Sequence, residues 1–334
     1  MNALKSQSTR SPLKNAFSRY GGITLVLLMF FTAYSFLTTT FFRLDNMILI
    51  LRQTASTCLL SFGLTLVLAA GSIDLSLGAT YCLVGVLSGM WAVNTGMPIW
   101  LIVVSVTAIS FAIGIINGLI ITKTTVPAFI STLGVSYVTT GAAYIACGGK
   151  NFAIMNDAFN AIGTATPLGL PIQIYYAAAA FVALYLLMSR TKTGRYIQAT
   201  GSNKIAAQFA GINTTRTIII AHTVCAVMSG FAGMVNSARL YNASPSNEAS
   251  AIEAICAVVL GGTSMAGGNG TLVGTLLGAA VMTVMGNGLN HMGVSSYWQK
   301  IIKGLLIVLA VAFDGYKRIA EDKRITKAVV KGEK

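Results

Sequence analysis

Long apolar runs separated by short polar breaks organise this chain. Ten of them, at 21–40, 54–71, 78–95, 98–122, 126–147, 172–189, 217–236, 250–266, 271–291 and 299–316, approach the roughly 20 apolar residues that a helix needs to cross a bilayer. The pattern predicts an all-α polytopic membrane protein of about ten transmembrane helices. The longest polar interruption is Arg190 to Arg216, RTKTGRYIQATGSNKIAAQFAGINTTR, whose 27 residues carry five basic side chains and no acid. It has a helical pattern of its own. Ser202-Asn203 offers side-chain oxygens suited to an N-cap. Ile205, Ala206, Phe209 and Ala210 then recur at helical spacing, and Gly211 can end the helix in a left-handed cap. A short amphipathic helix between two spans follows, either docking a soluble partner or lying as a loop at the lipid headgroups.

Charge orients the spans. With the N-terminus inside, 17 of the 23 basic residues fall on the inner side, and Arg43, Arg52, Lys150, Arg239, Lys300 and Lys303 fall outside. Positive charge collects on the cytoplasmic side of membrane proteins, so an even number of spans with N and C termini cytoplasmic is expected. The chain divides into a polar tail over 1–20, a membrane unit over 21–316 containing the 190–216 loop, and a basic tail over 317–334. No small-residue cleavage pattern follows the first span, which reads as a retained anchor.

An internal repeat lies at an offset of 170 residues: Asn117-Gly118-Leu119 matches Asn287-Gly288-Leu289, Gly63 matches Gly233, Val103 matches Val273 and Gly134 matches Gly304. Five spans separate the copies, an odd number, so the two repeats are expected to be inverted, as in many transporters. The mate of the 190–216 loop is then 41–53, only 13 residues long. Glycine pairs one turn apart (Gly85/Gly89, Gly114/Gly118, Gly274/Gly278) point to close helix approach.

Composition narrows the class. At 54% hydrophobic, 10% charged and mean hydropathy +0.72, the chain is too apolar for a soluble domain. The net charge of +14 does not imply nucleic acid as a partner, because the basic residues are spread over tails and loops beside apolar spans. Cys58, Cys82, Cys147, Cys225 and Cys256 lie within or at the ends of spans and read as reduced, packed thiols.

Few residues suggest chemistry. Asp74 is the only charge in the break GSIDLSLG, either facing a wet cavity at membrane depth or capping span three at the headgroups. GGTSMAGGNGTLVG, 261–274, is a second glycine-rich break without the Gly-Lys-Ser/Thr of a phosphate loop, and reads as a tight cytoplasmic turn. Glu253, after the polar run YNASPSNEASAIE, either lines a solute path or anchors a helix start. Asn117 and Asn287, at matched positions of the repeat, join Asp74 and Glu253 as candidates for a translocation path or turn. His222 and His291 stand alone in their spans and are expected to be packed and hydrogen-bonded. No HExxH, GxSxG or Walker motif is present, so no catalytic, metal or cofactor site is expected.

GSIDLSLG, VPAFISTLG, GRYIQATGSNKIAAQFAGI, AIEAICAVVLGGTSMAGG and GVSSYWQKIIKG, in order from about Thr38 to Phe313, resemble the ribose-type sugar permeases. These are membrane subunits of bacterial ATP-binding-cassette importers, akin to branched-chain amino-acid permeases. The resemblance implies a homodimer or heterodimer of permeases, two cytoplasmic ATPase domains and a periplasmic sugar-binding protein. It implies a coupling helix within Gly194 to Gly211, with Gly201, Asn203, Ala206, Ala207 and Gly211 on the matching pattern and Arg195 in the same ATPase-coupling loop. The family often shows acid-apolar-acid before AVVLGG; here the first position is Ala251 and Glu253 keeps the second acid.

The expectation is a permease of the bacterial inner membrane, importing a monosaccharide (a ribose-like pentose or a hexose) by alternating access. ATP would bind a partner subunit, with no cofactor on this chain. The alternative, an ion-gradient-driven secondary transporter of a small polar solute, is disfavoured by the scarcity of intramembrane acids.

Overall fold

A computed structural model describes residues 12–246 and 249–309, with 312, 315 and 316. The terminal tails at 1–11 and 317–334 lie outside the described residues. Twelve helices run in order: α1 (Pro12–Leu37), α2 (Leu44–Ala69), α3 (Leu77–Asn94), α4 (Ile99–Lys123), α5 (Ala128–Ala146), α6 (Asp157–Thr164), α7 (Ile172–Arg190), α8 (Lys192–Ser202), α9 (Lys204–Phe209), α10 (Thr214–Leu240), α11 (Ala249–Leu260) and α12 (Leu272–His291). A further helical stretch, α13, is described over 296–309. Two-residue strands at Phe152–Ala153 and Asn242–Ala243 pair antiparallel.

Eight helices (α1, α2, α3, α4, α5, α7, α10 and α12) are long and apolar enough to cross a membrane. The two other expected spans differ. α11 stops at Leu260, not 266, because Gly262 turns left-handed (φ 82°) and Thr263 N–H closes the end on Val258 O at 3.2 Å. α13 is described only as far as 309. At the other extreme, α2 begins at Leu44, so the expected 13-residue loop at 41–53 is mostly helix. Its first turns bury Asn46 and Ile50, a contact that apolar run length alone does not register.

Two helices form the centre. α2 packs on α12, α11 and α7, whereas α10 packs on α4, α3 and α6. Each central helix therefore finds its main neighbours in the opposite half of the sequence. Phe62, Leu64, Leu66 and Val67 of α2 are completely buried, as are Ala221, His222 and Cys225 of α10, which fits helices surrounded by protein on all sides. The glycine pairs make these contacts possible. A Cβ at Gly118 would lie 2.6 Å from the Cα of Ile219, and Gly114 abuts Thr223 one turn along, so α4 meets α10 backbone to backbone. Gly274 and Gly278 do the same against Gly261 and Ala257. All five cysteines are free thiols; Cys147 is half-buried and the other four are buried.

Both central helices end alike. Gly71 after α2 and Tyr241 after α10, 170 residues apart, are both left-handed, with φ 73° and 53°. Non-helical residues follow each, 72–76 before α3 and 242–246 after α10. α3 and α11 start side by side: a Cβ on Gly78 would sit 2.8 Å from the Cβ of Ala251. At the other end of α11, two glycine-rich breaks converge with the C-terminal end of α8. Gly268 N–H donates to Ala69 O at 3.0 Å. Cβ atoms on Gly71 and Gly267 would lie 3.2 Å from Gly201 Cα and 2.7 Å from Gly71 Cα respectively. The C-terminal end of α8, the break after α2 and the turn before α12 thus touch through bare backbone.

Candidate functional site

The 190–216 segment folds as two helices, not one. α8 was missed by the periodicity of the loop's second half; its own signal is the small or apolar series Gly194, Ile197 and Thr200, all buried. Thr191 caps it, its hydroxyl accepting from Gly194 N–H at 3.2 Å. Ser202 is the last residue of α8, so the cap of the next helix falls to Asn203 alone. Asn203 N–H closes α8 on Ala199 O (3.1 Å), and its Oδ1 opens α9 by accepting from Ala206 N–H (2.9 Å). Gly211, at φ 79°, ends the turn, and Ile212 N–H reaches back to Ala207 O at 3.0 Å.

The orientation of α9 is informative. Ile205 and Phe209 are 66% and 89% exposed, and Ala206 and Ala210 are exposed beside them. Only Ala207 turns inward. The apolar stripe therefore faces away from the protein, against the usual direction for a surface helix. Of the residues expected in the coupling loop, Arg195, Asn203, Ala206 and Gly211 are exposed, Ala207 is buried, and Gly201 is committed to the internal glycine contact.

A polar cavity of about 270 Å³ opens toward the other end of the bundle. The middle of α2, the C-terminal halves of α10 and α12, and parts of α3, α11 and α13 enclose it. Glu253 and Asn287, two of the four path candidates, line it. Glu253 forms an ion pair with Lys303 across the wall. Arg239 lines the cavity as well, donating from Nη2 to Asn236 Oδ1 at 3.0 Å, while its Nε is buried without a hydrogen-bond partner. A second cavity, of about 340 Å³, shares Tyr81, Asn236 and Leu240 with the first. Arg239, Asn236, Gln53 and Gln299 were not singled out from the sequence. They sit on helices with no local motif, and only packing brings them together. Ala251, the position lacking the family's first acid, packs against Gly78 and does not line the cavity.

Asp74 and Asn117 lie elsewhere. Asp74 is 1% exposed and is not a headgroup-facing cap. Its Oδ1 accepts from Ser76 N–H (2.8 Å) and Ser76 O–H (2.6 Å), and its Oδ2 faces His222 Nδ1 at 3.1 Å. Ser72 Oγ lies 2.8 Å from the other ring nitrogen, and Asn117 Nδ2 donates to Ser76 Oγ at 2.7 Å. His222 is therefore hydrogen-bonded, as expected, but its carboxylate partner comes from 148 residues away. Asn287, the repeat mate of Asn117, enters a different cluster. It exchanges hydrogen bonds with Asn46 (2.8 and 3.0 Å), whose Oδ1 also meets His291 Nε2 at 3.0 Å. Among the described residues, no group of three or more His, Cys, Asp or Glu could hold a metal ion.

Comparison with known proteins finds relatives over most of the chain. Residues 46–311 match the family described as branched-chain amino acid transport system / permease component. The ribose import permease protein RbsC of Escherichia coli (strain K12) is 36% identical over 299 residues, covering 88% of this chain and 93% of that protein. RbsC of Bacillus subtilis (strain 168) is 36% identical over 286 residues, covering 85% and 88%. The galactose/methyl galactoside import permease protein MglC of Escherichia coli (strain K12) is 32% identical over 339 residues, covering 95% and 98%. No solved structure matches. With a family match over most of its length and eight membrane-capable helices, this chain belongs to the branched-chain amino acid transport system permease family and is a multi-pass protein of the bacterial inner membrane.

Proposed function

We propose that the protein is the membrane-spanning subunit of an ATP-binding-cassette importer, moving a monosaccharide of pentose or hexose size by alternating access. The observation that carries this reading is the outward-turned apolar face of α9, joined through α8 to the glycine contact at the end of the central helix α2. An exposed apolar patch bordered by basic residues suits a protein partner, here a cytoplasmic ATPase that binds the ATP, so that this chain itself holds no cofactor. Relatives importing ribose and galactose support the solute class. The ten-span arrangement in two inverted repeats, with both termini cytoplasmic, belongs to the same proposal. So do a second permease subunit and a periplasmic sugar-binding protein.

Motion follows from rigid contacts. A push on α9 reaches Gly201 through α8, and Gly201 is wedged between Ala69 of α2 and Gly268. Helices packed this closely shift as bodies, so the halves would tip about the central cavity. Ile205→Asp with Phe209→Asp adds charge to the exposed face and removes no buried contact. Tagged wild-type protein should capture an ATPase from membranes, and the double variant should lose it while folding normally. Failure of the wild type to capture an ATPase, with uptake abolished by an ionophore, would refute the proposal in favour of a gradient-driven carrier.

A further inference from the structure

We infer that Ser72, His222 and Asp74 form a bolt that makes the break after α2 and the helix α10 move as one body, and that His222 is a positioning residue for transport. The inference rests on the importer reading for the use of the bolt. It goes beyond that reading, which gives no role to a buried polar group.

One ring grips the break twice. His222 Nδ1 faces Asp74 Oδ2 at 3.1 Å and Nε2 faces Ser72 Oγ at 2.8 Å, and all three side chains are buried. With Asp74 ionised, Nδ1 carries the proton and Nε2 accepts from the Ser72 hydroxyl, so a neutral ring uses both nitrogens. Two anchor points fix the position and the tilt of the break against α10. The order Ser–His–Asp is that of a hydrolase triad, but Ser72 is buried and lines neither cavity described above. What the arrangement supplies is attachment.

The matched break shows that the turn itself does not need a carboxylate. At the 170-residue offset, Asp74 corresponds to Ser244, Ser76 to Ser246 and His222 to Arg52. Ser246 N–H donates to Ser244 Oγ at 3.3 Å, as Ser76 N–H donates to Asp74 Oδ1 at 2.8 Å. A serine hydroxyl therefore suffices for the local turn. The carboxylate adds a second oxygen, and that oxygen is the one that reaches α10. Burying a carboxylate is costly, and the contact across 148 residues is what distinguishes this break from its mate.

The bolt lies where movement enters. Gly71, the residue before Ser72, abuts Gly201 of α8, and α8 also packs on α10. A displacement of α8 would therefore act on the break and on α10 together, and the ring keeps the two from sliding past each other. The same break is tied to α4 and α5: Ser76 Oγ accepts from Asn117 Nδ2 at 2.7 Å, and Leu75 N–H donates to Thr132 Oγ1 at 3.2 Å. Buried networks of this kind hold packed elements in one discrete arrangement.

The first test needs no partner: amide hydrogen exchange of the purified full chain in nanodiscs. His222→Leu should speed exchange at 72–76 about tenfold, the loss of one hydrogen bond to a charged group. Gly278→Ala, which disturbs α12 against α11, should leave 72–76 unchanged. The second test is uptake of radiolabelled D-ribose and D-galactose, divided by the amount of folded permease in the membrane. His222→Leu should lower it about fivefold or more, the low end of a coupling between sites, while ATP hydrolysis by the captured complex falls less. Gly278→Ala should lower the folded amount and leave uptake per folded molecule unchanged. His222→Gln, which keeps one donor and one acceptor, should retain part of both readouts. Ser72→Ala removes one ring contact and leaves the Asp74 bond; it should shift both readouts the same way by less, and it replaces His222→Leu if that variant does not fold. Wild-type exchange at 72–76 without the ring contact overturns the bolt. Wild-type uptake per folded molecule, or an equal loss in Gly278→Ala, overturns the positioning role. The exchange arm holds whatever drives uptake and whichever sugar is carried, so failure of the wild type to capture an ATPase would sink the importer reading alone.

Discussion

Replacing Asp74 by alanine should cost far more than replacing the other acid whose pairing is described, Glu253. Asp74 is 1% exposed and anchors three hydrogen bonds, two to Ser76 and one to His222. Alanine would leave the Ser76 N–H and the His222 ring nitrogen buried without acceptors, each worth about 1–3 kcal/mol. Shared solvation and relaxation bring the sum to about 3–5 kcal/mol, the usual cost of breaking a buried charged pair from one side. Glu253 and Lys303 are 34% and 20% exposed, and a pair so open to water contributes at most about 1 kcal/mol. At about 2 °C per kcal/mol for a large chain, Asp74→Ala should lower the apparent Tm by about 6–10 °C, and Glu253→Gln by about 2 °C or less. Fluorescence-detected size exclusion after heating, in one detergent, reads both. Asp74→Asn tests the geometry separately, because it keeps one acceptor oxygen and should fall between them. A fall of less than about 2 °C for Asp74→Ala would show that the network does not support the packing of α2, α3 and α10, and the reasoning would fail.

The same measurement tests two further points. Gly278 abuts Ala257 backbone and Gly22 has open space around it; Gly278→Ala should destabilise by about 1–3 kcal/mol through overpacking, whereas Gly22→Ala should be neutral or stabilise by up to about 1 kcal/mol through helix propensity. At α9, Ala207→Glu would bury a charge and should lower the Tm, while Asn203→Asp keeps a side-chain acceptor for Ala206 N–H and should leave it unchanged. Equal shifts at the two α9 positions would contradict the inward placement of Ala207.

A loss of uptake in Ala207→Glu would for that reason not separate coupling from folding, although Ala207 lies on the pattern expected of the coupling loop. The existence of α9, its Asn203 cap and its Gly211 end were legible, because capping is a contact between residues three or four apart. Its exposure was not. An amphipathic stripe says that one face differs from the other, and not whether protein, lipid or a partner covers the apolar one. The neighbouring α8 was overlooked because its buried stripe consists of Gly194, Ile197 and Thr200, only one of them strongly apolar.

By itself the sequence determined the local and the repetitive. Of the ten apolar runs, eight form membrane-capable helices, and glycines one turn apart marked the close crossings; that Gly71 and Tyr241, also 170 residues apart, both end central helices left-handed only the structure shows. Tertiary structure alone decided which polar groups meet. Asp74 finds His222 across 148 residues and Asn46 finds Asn287 across 241, while the walls of the cavity come from six helices. The reason is that a helix apolar on nearly every side carries no periodic signal for its inward face. Its buried polar groups are then placed by whichever distant backbone the small residues allow to come near.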